Sequence, residues 1–127
     1  MNAKCVAVVD DEAPVRVALG RLLRLAGYTA VTSPSGEDFL ATLVHHRPDC
    51  ALLDMCLPGL SGLQLQALLH AKGIALPVVF ITASDDPALA RKALEAGGVR
   101  VLHKPFSNVE LLAAVDLALQ SALPSTP

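Results

Sequence analysis

Five short apolar runs alternate along the chain with segments whose apolar residues recur at three- and four-residue spacing. Lys4 to Val9 (Lys-Cys-Val-Ala-Val-Val) is apolar on both faces, as a buried parallel strand must be, and it stops on Asp10-Asp11-Glu12. Pro14 then opens a helix carrying Val15, Leu19, Leu22, Leu23 and Ala26, which Gly27 closes. Tyr28 to Thr32 is a second, weaker strand. Ser35 and Asp38 form a capping-box pattern for a helix running through His45 or His46, ended by Pro48. Cys50 to Leu53 is the third strand and delivers Asp54 to a Pro58-Gly59 turn, and a helix from Ser61 or Gly62 ends near Lys72-Gly73. Pro77 to Ile81 is the fourth strand and delivers Thr82, and Asp85-Asp86-Pro87 opens a helix through Glu95, stopped by Gly97-Gly98. Val99 to Leu102 is the fifth strand and delivers Lys104 just before Pro105. Ser107 and Glu110 box the start of the last helix, whose stripe is Leu111, Leu112, Val115 and Leu119.

Strand and helix thus alternate throughout with short connections. That order predicts an α/β, doubly wound three-layer sandwich: a parallel sheet with right-handed crossovers and helices on both faces. In such sheets ligands meet the carboxyl ends of the strands, near the point where strand order reverses. Asp10, Asp11, Asp54, Thr82 and Lys104 all fall at carboxyl ends, so the topology gathers five scattered residues into one cluster.

Composition narrows the setting. The 127 residues are 53% hydrophobic and 17% charged, with a net charge of -2, which suits one globular domain with no bias toward nucleic acid or an anionic membrane. No apolar stretch approaches the roughly 20 residues of a membrane span. The first residues run directly into a strand without room for a signal peptide, and Cys5, Cys50 and Cys56 show no metal-ligand spacing. Reduced thiols in a cytoplasmic protein are the expectation. Residues 1–123 read as one domain, and 124–127 (Pro-Ser-Thr-Pro) as a tail or the start of a linker. No basic recognition helix follows the last predicted helix, so no direct DNA binding is expected of this chain.

Three carboxylates at neighbouring strand ends repel one another, by about 4 kcal/mol per pair at 4 Å and an effective dielectric near 20. A compensating cation is therefore expected. Oxygen-only ligands with room for water suit Mg²⁺. Lys104 adds a second positive charge, and the Thr82 hydroxyl can donate to an anionic oxygen. Metal, ammonium and hydroxyl converging on one carboxylate are the parts for phosphoryl transfer with Asp54 as nucleophile, since an ionised Asp needs no general base.

These motifs, Asp10-Asp11, the Asp54 segment with Pro58 and Gly62, Thr82-Ala83 and Lys104-Pro105-Phe106, resemble the receiver domain of two-component response regulators over nearly the whole chain. The local wording of His-Lys-Pro-Phe-Ser and Pro-Gly-Leu-Ser-Gly looks most like receivers of the FixJ type. The resemblance implies a (βα)5 flavodoxin-like fold with sheet order 2-1-3-4-5. It implies phosphoryl transfer from a sensor histidine kinase to Asp54, in a signalling switch that catalyses only its own phosphotransfer and dephosphorylation. Mg²⁺ would be bound by Asp11, Asp54 and the backbone carbonyl of Cys56, with Asp10 acting through water or toward Lys104, and Thr82, Ala83 and Lys104 would receive the phosphate. A cis Lys104-Pro105 bond is implied too, and an output face on helix four, strand five and helix five that can serve a homodimer.

One position departs from the family. Where it commonly carries Tyr or Phe, three residues before the Lys, this chain has Val101, which has no ring to relocate. Thr82 and the loop after it are therefore expected to respond to phosphorylation, with a muted change at the fifth strand. Arg91 and Glu95 lie one turn apart on the expected output face, and Val101 there would expose apolar surface unless covered. Other functions fit less well. A flavodoxin-like cofactor protein needs a Ser/Thr/Gly-rich loop where Asp10-Asp11-Glu12 stands. A phosphatase with an aspartyl intermediate needs an Asp where Cys56 stands. A degenerate receiver acting as a phosphorylation-independent binding module would not need the intact acidic pair, Asp54, Thr82 and Lys104.

Overall fold

In the computed structural model, which describes residues 3–121, ten elements alternate without exception. They are β1 (Cys5–Val9), α1 (Ala13–Leu25), β2 (Thr29–Ser33), α2 (Gly36–Leu43), β3 (Cys50–Asp54), α3 (Gly62–Ala71), β4 (Val78–Thr82), α4 (Pro87–Glu95), β5 (Arg100–His103) and α5 (Asn108–Ser121). The sheet is parallel throughout, in the order β2-β1-β3-β4-β5, as expected.

The period-2 alternation of the strands divides the core in two. Val6, Val8, Leu52, Val79 and Ile81 face one way, beneath Leu19 and Leu23 of α1 and Leu111, Ala114, Val115 and Ala118 of α5. Ala7, Val9, Leu53, Val78 and Phe80 face the other way, beneath Phe39 of α2, Leu65 and Leu69 of α3 and Ala93 of α4. The three central strands are buried at every position, which explains their unbroken apolar runs, whereas β2 and β5 are edges and partly exposed. Cys5 and Cys50 are free and buried, and burial pushes the Cys50 thiol up to about 12.

Local differences from the sequence reading have local causes. Helix α2 stops at Leu43, short of His45, because the amides of His45 and His46 both turn back onto the Thr42 carbonyl. Its box is half made: the Ser35 hydroxyl accepts from Asp38 N at 3.1 Å, and no return bond from the short Asp38 side chain joins it. The Ser107–Glu110 box is complete. Another complete box, Ser61 with Gln64, starts α3; the Ser-x-x-Gln spelling was in the sequence to be read. Strands β2 and β5 sit one residue later than their predicted spans. The proposed tail lies outside the described residues. Among the described residues no helix is long and apolar enough to cross a membrane.

Gly62 shows how tightly α3 is seated under the end of β3. A Cβ there would lie 2.6 Å from the Asp54 carbonyl oxygen and 3.0 Å from Met55 Cα, both backbone atoms that cannot swing aside. Gly62→Ala is therefore expected to lower stability by about 1–3 kcal/mol, read as a lower urea midpoint at unchanged slope. An unchanged midpoint would show that the α3 start has slack.

Candidate functional site

The sheet carries its chemistry at the carboxyl edge, where β1 and β3 lie side by side. Asp10 follows β1 and is buried, 1% exposed, with its amide donating to the Ser33 carbonyl. Its Oδ1 accepts from Glu12 N at 2.9 Å and its Oδ2 from Lys104 Nζ at 3.1 Å. Asp54 closes β3 and is 5% exposed; its Oδ1 accepts from Cys56 N at 3.0 Å and its Oδ2 faces Lys104 Nζ at 3.4 Å. Asp11 is exposed. It does not cap the helix, since the N-cap of α1 is Glu12, whose side chain makes no capping bond. One carboxylate oxygen from each of Asp10, Asp11 and Asp54 lies within 4.8 Å of the others, so these three residues can hold a metal ion.

Lys104 is the cation of the site. Its amide donates to the Thr82 carbonyl at 2.8 Å, which ties the residue to the end of β4, and the Lys104–Pro105 bond is cis. Its ammonium meets Asp10, Asp54 and also Glu12 at 3.3 Å. The Glu12 contact escaped the sequence reading, although the run Asp10-Asp11-Glu12 carried a hint of it. So did Arg16, whose Nη1 donates to the Asp10 carbonyl at 2.8 Å.

The charges act on one another. Burial pushes the Asp54 carboxyl above the usual carboxylate range; the Cys56 amide and the Lys104 charge pull it back, and Asp10 raises it further. For Lys104, burial works against the charged form, but the bond to Asp10 and the charges of Asp54 and Asp10 outweigh it, so the ammonium is held more tightly than usual.

Thr82 ends β4 fully buried, and Ala83 beside it is exposed and small. The Thr82 hydroxyl accepts from Ser84 N at 3.0 Å, the Ser84 hydroxyl from Asp86 N at 3.1 Å, and the Asp86 carboxylate from Ala88 N at 2.9 Å. This relay runs from the site edge into the first turn of α4. The structure leaves the expected output residues apart from the site. Val101 is half-buried against the core on the α2–α3–α4 side of the sheet, so only part of its apolar surface is exposed. Arg91 and Glu95 are both exposed, and they form none of the ion pairs among the described residues. Cys56 has an exposed thiol, and its contribution here is its backbone amide.

Comparison with known proteins places this geometry. Residues 6–116 match the family model described as the response regulator receiver domain. The transcriptional regulatory protein TdiR of Thauera aromatica is 40% identical over 118 residues, covering 93% of this chain and 52% of that protein. The response regulator protein TodT of Pseudomonas putida is 35% identical over 121 residues, 95% of this chain and 53% of that one. The chain thus spans about half the length of the curated relatives it matches. Among solved structures, the FixJ-N crystal structure superposes with a TM-score of 0.89 at 32% identity, covering 99% of this chain and all of that one (100%). The response regulator StyR gives 0.85 at 40% identity over 95% of this chain and 61% of that one. With the sheet order, the acidic edge and the family model in agreement over one stretch of sequence, the chain belongs to the response regulator receiver domains of two-component systems.

Proposed function

We propose that Asp54 accepts a phosphoryl group from a phospho-histidine on a sensor histidine kinase, in the cytoplasm, and that the modified domain signals through its α4–β5–α5 face. The observation that carries this reading is the convergence on Asp54: Lys104 Nζ at 3.4 Å, and carboxylate oxygens of Asp10 and Asp11 within 4.8 Å. A carboxylate oxygen of Asp54 attacks phosphorus as the phosphorus–nitrogen bond breaks, and the imidazole departs with its electron pair and takes up a proton. An ionised Asp54 needs no base, and the Cys56 amide and the Lys104 charge both favour that ionised form. Lys104 faces the incoming charge, Thr82 offers a hydroxyl hydrogen, and Ala83 leaves the approach open.

The donor set fits Mg²⁺. Its members are hard oxygens and one, Asp11, is exposed to solvent; in this reading Asp11 and Asp54 are direct ligands with the Cys56 carbonyl. Asp10 then acts through water. When bound, the ion neutralises charge on the transferring group. The output face comprises Arg91, Glu95 and Val101, with a homodimer as one use of it. The relay from Thr82 through Ser84 and Asp86 carries the response to α4 without an aromatic ring at 101.

Three outcomes test the reading. Incubation with acetyl phosphate and Mg²⁺ should add a phosphate-sized mass to the wild type and none to Asp54→Asn or to the wild type in chelator. No gain in the wild type would sink the proposal.

Metal-free stability gives the second. The carboxyl of Asp54 is raised in the folded state above its unfolded value of 3.8, so the native state binds the proton more tightly and loses stability as pH climbs through the raised value. Asp54→Asn, which cannot ionise, should therefore lose less stability than the wild type as pH rises from acid to neutral in chelator, with the gap narrowing toward acid pH. A variant that loses as much would contradict the electrostatics.

Third, beryllofluoride should shift backbone amide resonances from Thr82 through Ala88 strongly and that of Val101 weakly. A rearrangement centred on Val101 would refute the relay.

A further inference from the structure

The early end of α2 shapes a pocket toward the amino edge of the sheet, the edge opposite Asp54. The amides of His45 and His46 turn back onto Thr42, so the chain leaves the helix at Val44 and is buried again only at Pro48. Val44 is left 79% exposed, and Arg47 is exposed as well. Lys72 is the C-cap of α3, and Leu40, Leu43, Val44, Arg47, Lys72 and Ile74 together line an open pocket of about 280 Å³. Leu40, Leu43 and Ile74 are half-buried and packed on the core of the α2–α3–α4 side, so the apolar lining continues that core outward.

Two cations complete the lining. Every ion pair among the described residues involves Lys104 or His103, so Arg47 and Lys72 have no carboxylate of those residues within 4.0 Å. The acid nearest Arg47 in sequence, Asp49, accepts instead from the Cys5 amide at 2.7 Å. One exposed Val, or one solvated cation, is ordinary on a protein surface. Here an exposed apolar side chain, an apolar recess and two cations without a carboxylate share one small pocket.

We propose that this pocket docks an acidic segment of a partner protein, which inserts one large apolar side chain between the ends of α2 and α3 and sets carboxylates against Arg47 and Lys72. Size and charge select that occupant. Pockets that enclose a whole small ligand run from about 300 to 1,000 Å³. This one falls below that range and has Val44, Arg47 and Lys72 exposed at its lining, so it suits one anchoring side chain with a polar rim around it. A two-fold contact of the pocket with its own copy would set like charges together, because the lining holds cations and no carboxylate. An acidic partner gains complementarity at the same rim. The docking is independent of phosphoryl chemistry at Asp54, and it lies apart from the α4–β5–α5 face.

Amide resonances of the whole isotopically labelled chain test this during titration with a capped peptide, Asp-Glu-Leu-Phe-Asp-Glu. The peptide is expected to shift the amides of Val44, Lys72 and Ile74 saturably, and to bind more weakly as salt rises. Its counterpart with Asn and Gln in place of the acids should bind at least about tenfold more weakly, equivalent to about 1.4 kcal/mol. The double variant Arg47→Glu, Lys72→Glu should lose the acidic peptide to a similar degree and gain the counterpart carrying Lys in place of the acids. A misfolded variant could not make that gain. No shift at these amides with millimolar acidic peptide, equal binding of the acidic and amide peptides, or no gain by the double variant would overturn the proposal. So would hexanoate binding there as tightly as the acidic peptide, since a small carboxylate would then suffice. The same amides shifting with chain concentration alone would point to a second copy and overturn it too.

Discussion

The ammonium of Lys104 holds the carboxyl edge together. Four carboxylates gather there, and two of them, Asp10 and Asp54, are almost wholly buried at the ends of adjacent strands. At about 4 Å and an effective dielectric near 20, two such charges repel by about 4 kcal/mol, a large share of a small domain's stability. One ammonium within 3.4 Å of both offsets much of that cost. Lys104 follows the edge strand β5, so its stem must pass the end of β4 to reach β3 and β1. The fold permits this because β4 ends on a small buried Thr, and because the Lys104 amide is bonded to the Thr82 carbonyl. The sheet order and the ion cluster are therefore linked: this order sets β1 beside β3 and leaves only the end of β4 for the Lys104 stem to cross.

That constraint also explains what could be read in advance. Strand runs that end abruptly on Asp10, Asp54, Thr82 and Lys104 are local signals, and a parallel topology converts them into a place. Helix stripes, Gly27 after α1 and the Ser107–Glu110 box are local too, and each stands where the spelling put it. What escaped depends on distances between segments far apart in sequence. Glu12 reads as a strand-stopping acid until Lys104, 92 residues away, is seen 3.3 Å from it. Gly62 reads as helix-start geometry until the Asp54 carbonyl is found beneath it. Val101 reads as exposed on an edge strand until the packing of the α2–α3–α4 side half-covers it. The short α2 is a different failure: two amides competing for one Thr42 carbonyl end the helix, and no residue type at His45 or His46 announces that.

The site is balanced rather than satisfied, and this bears on how it can act as a switch. Burial and Asp10 raise the Asp54 carboxyl even with Lys104 in contact, so a cation added beside Asp54 would favour its ionised form. Such a change reaches the surface only through groups whose partners it alters. Lys104 has three carboxylate partners and can shift among them without leaving the cluster. Thr82 has less freedom: its hydroxyl oxygen already accepts from Ser84, which leaves its single hydrogen as the one group able to turn toward a new anionic oxygen. The oxygen of that hydroxyl is the acceptor for Ser84 N, and Ser84 in turn supports Asp86, the N-cap of α4. The first turn of α4 is thus tied to the site by three short bonds in series, each exposed or half-exposed at its outer end. Val101 takes no part in that series, which joins the end of β4 to the start of α4 through side-chain and backbone groups of the β4–α4 loop alone.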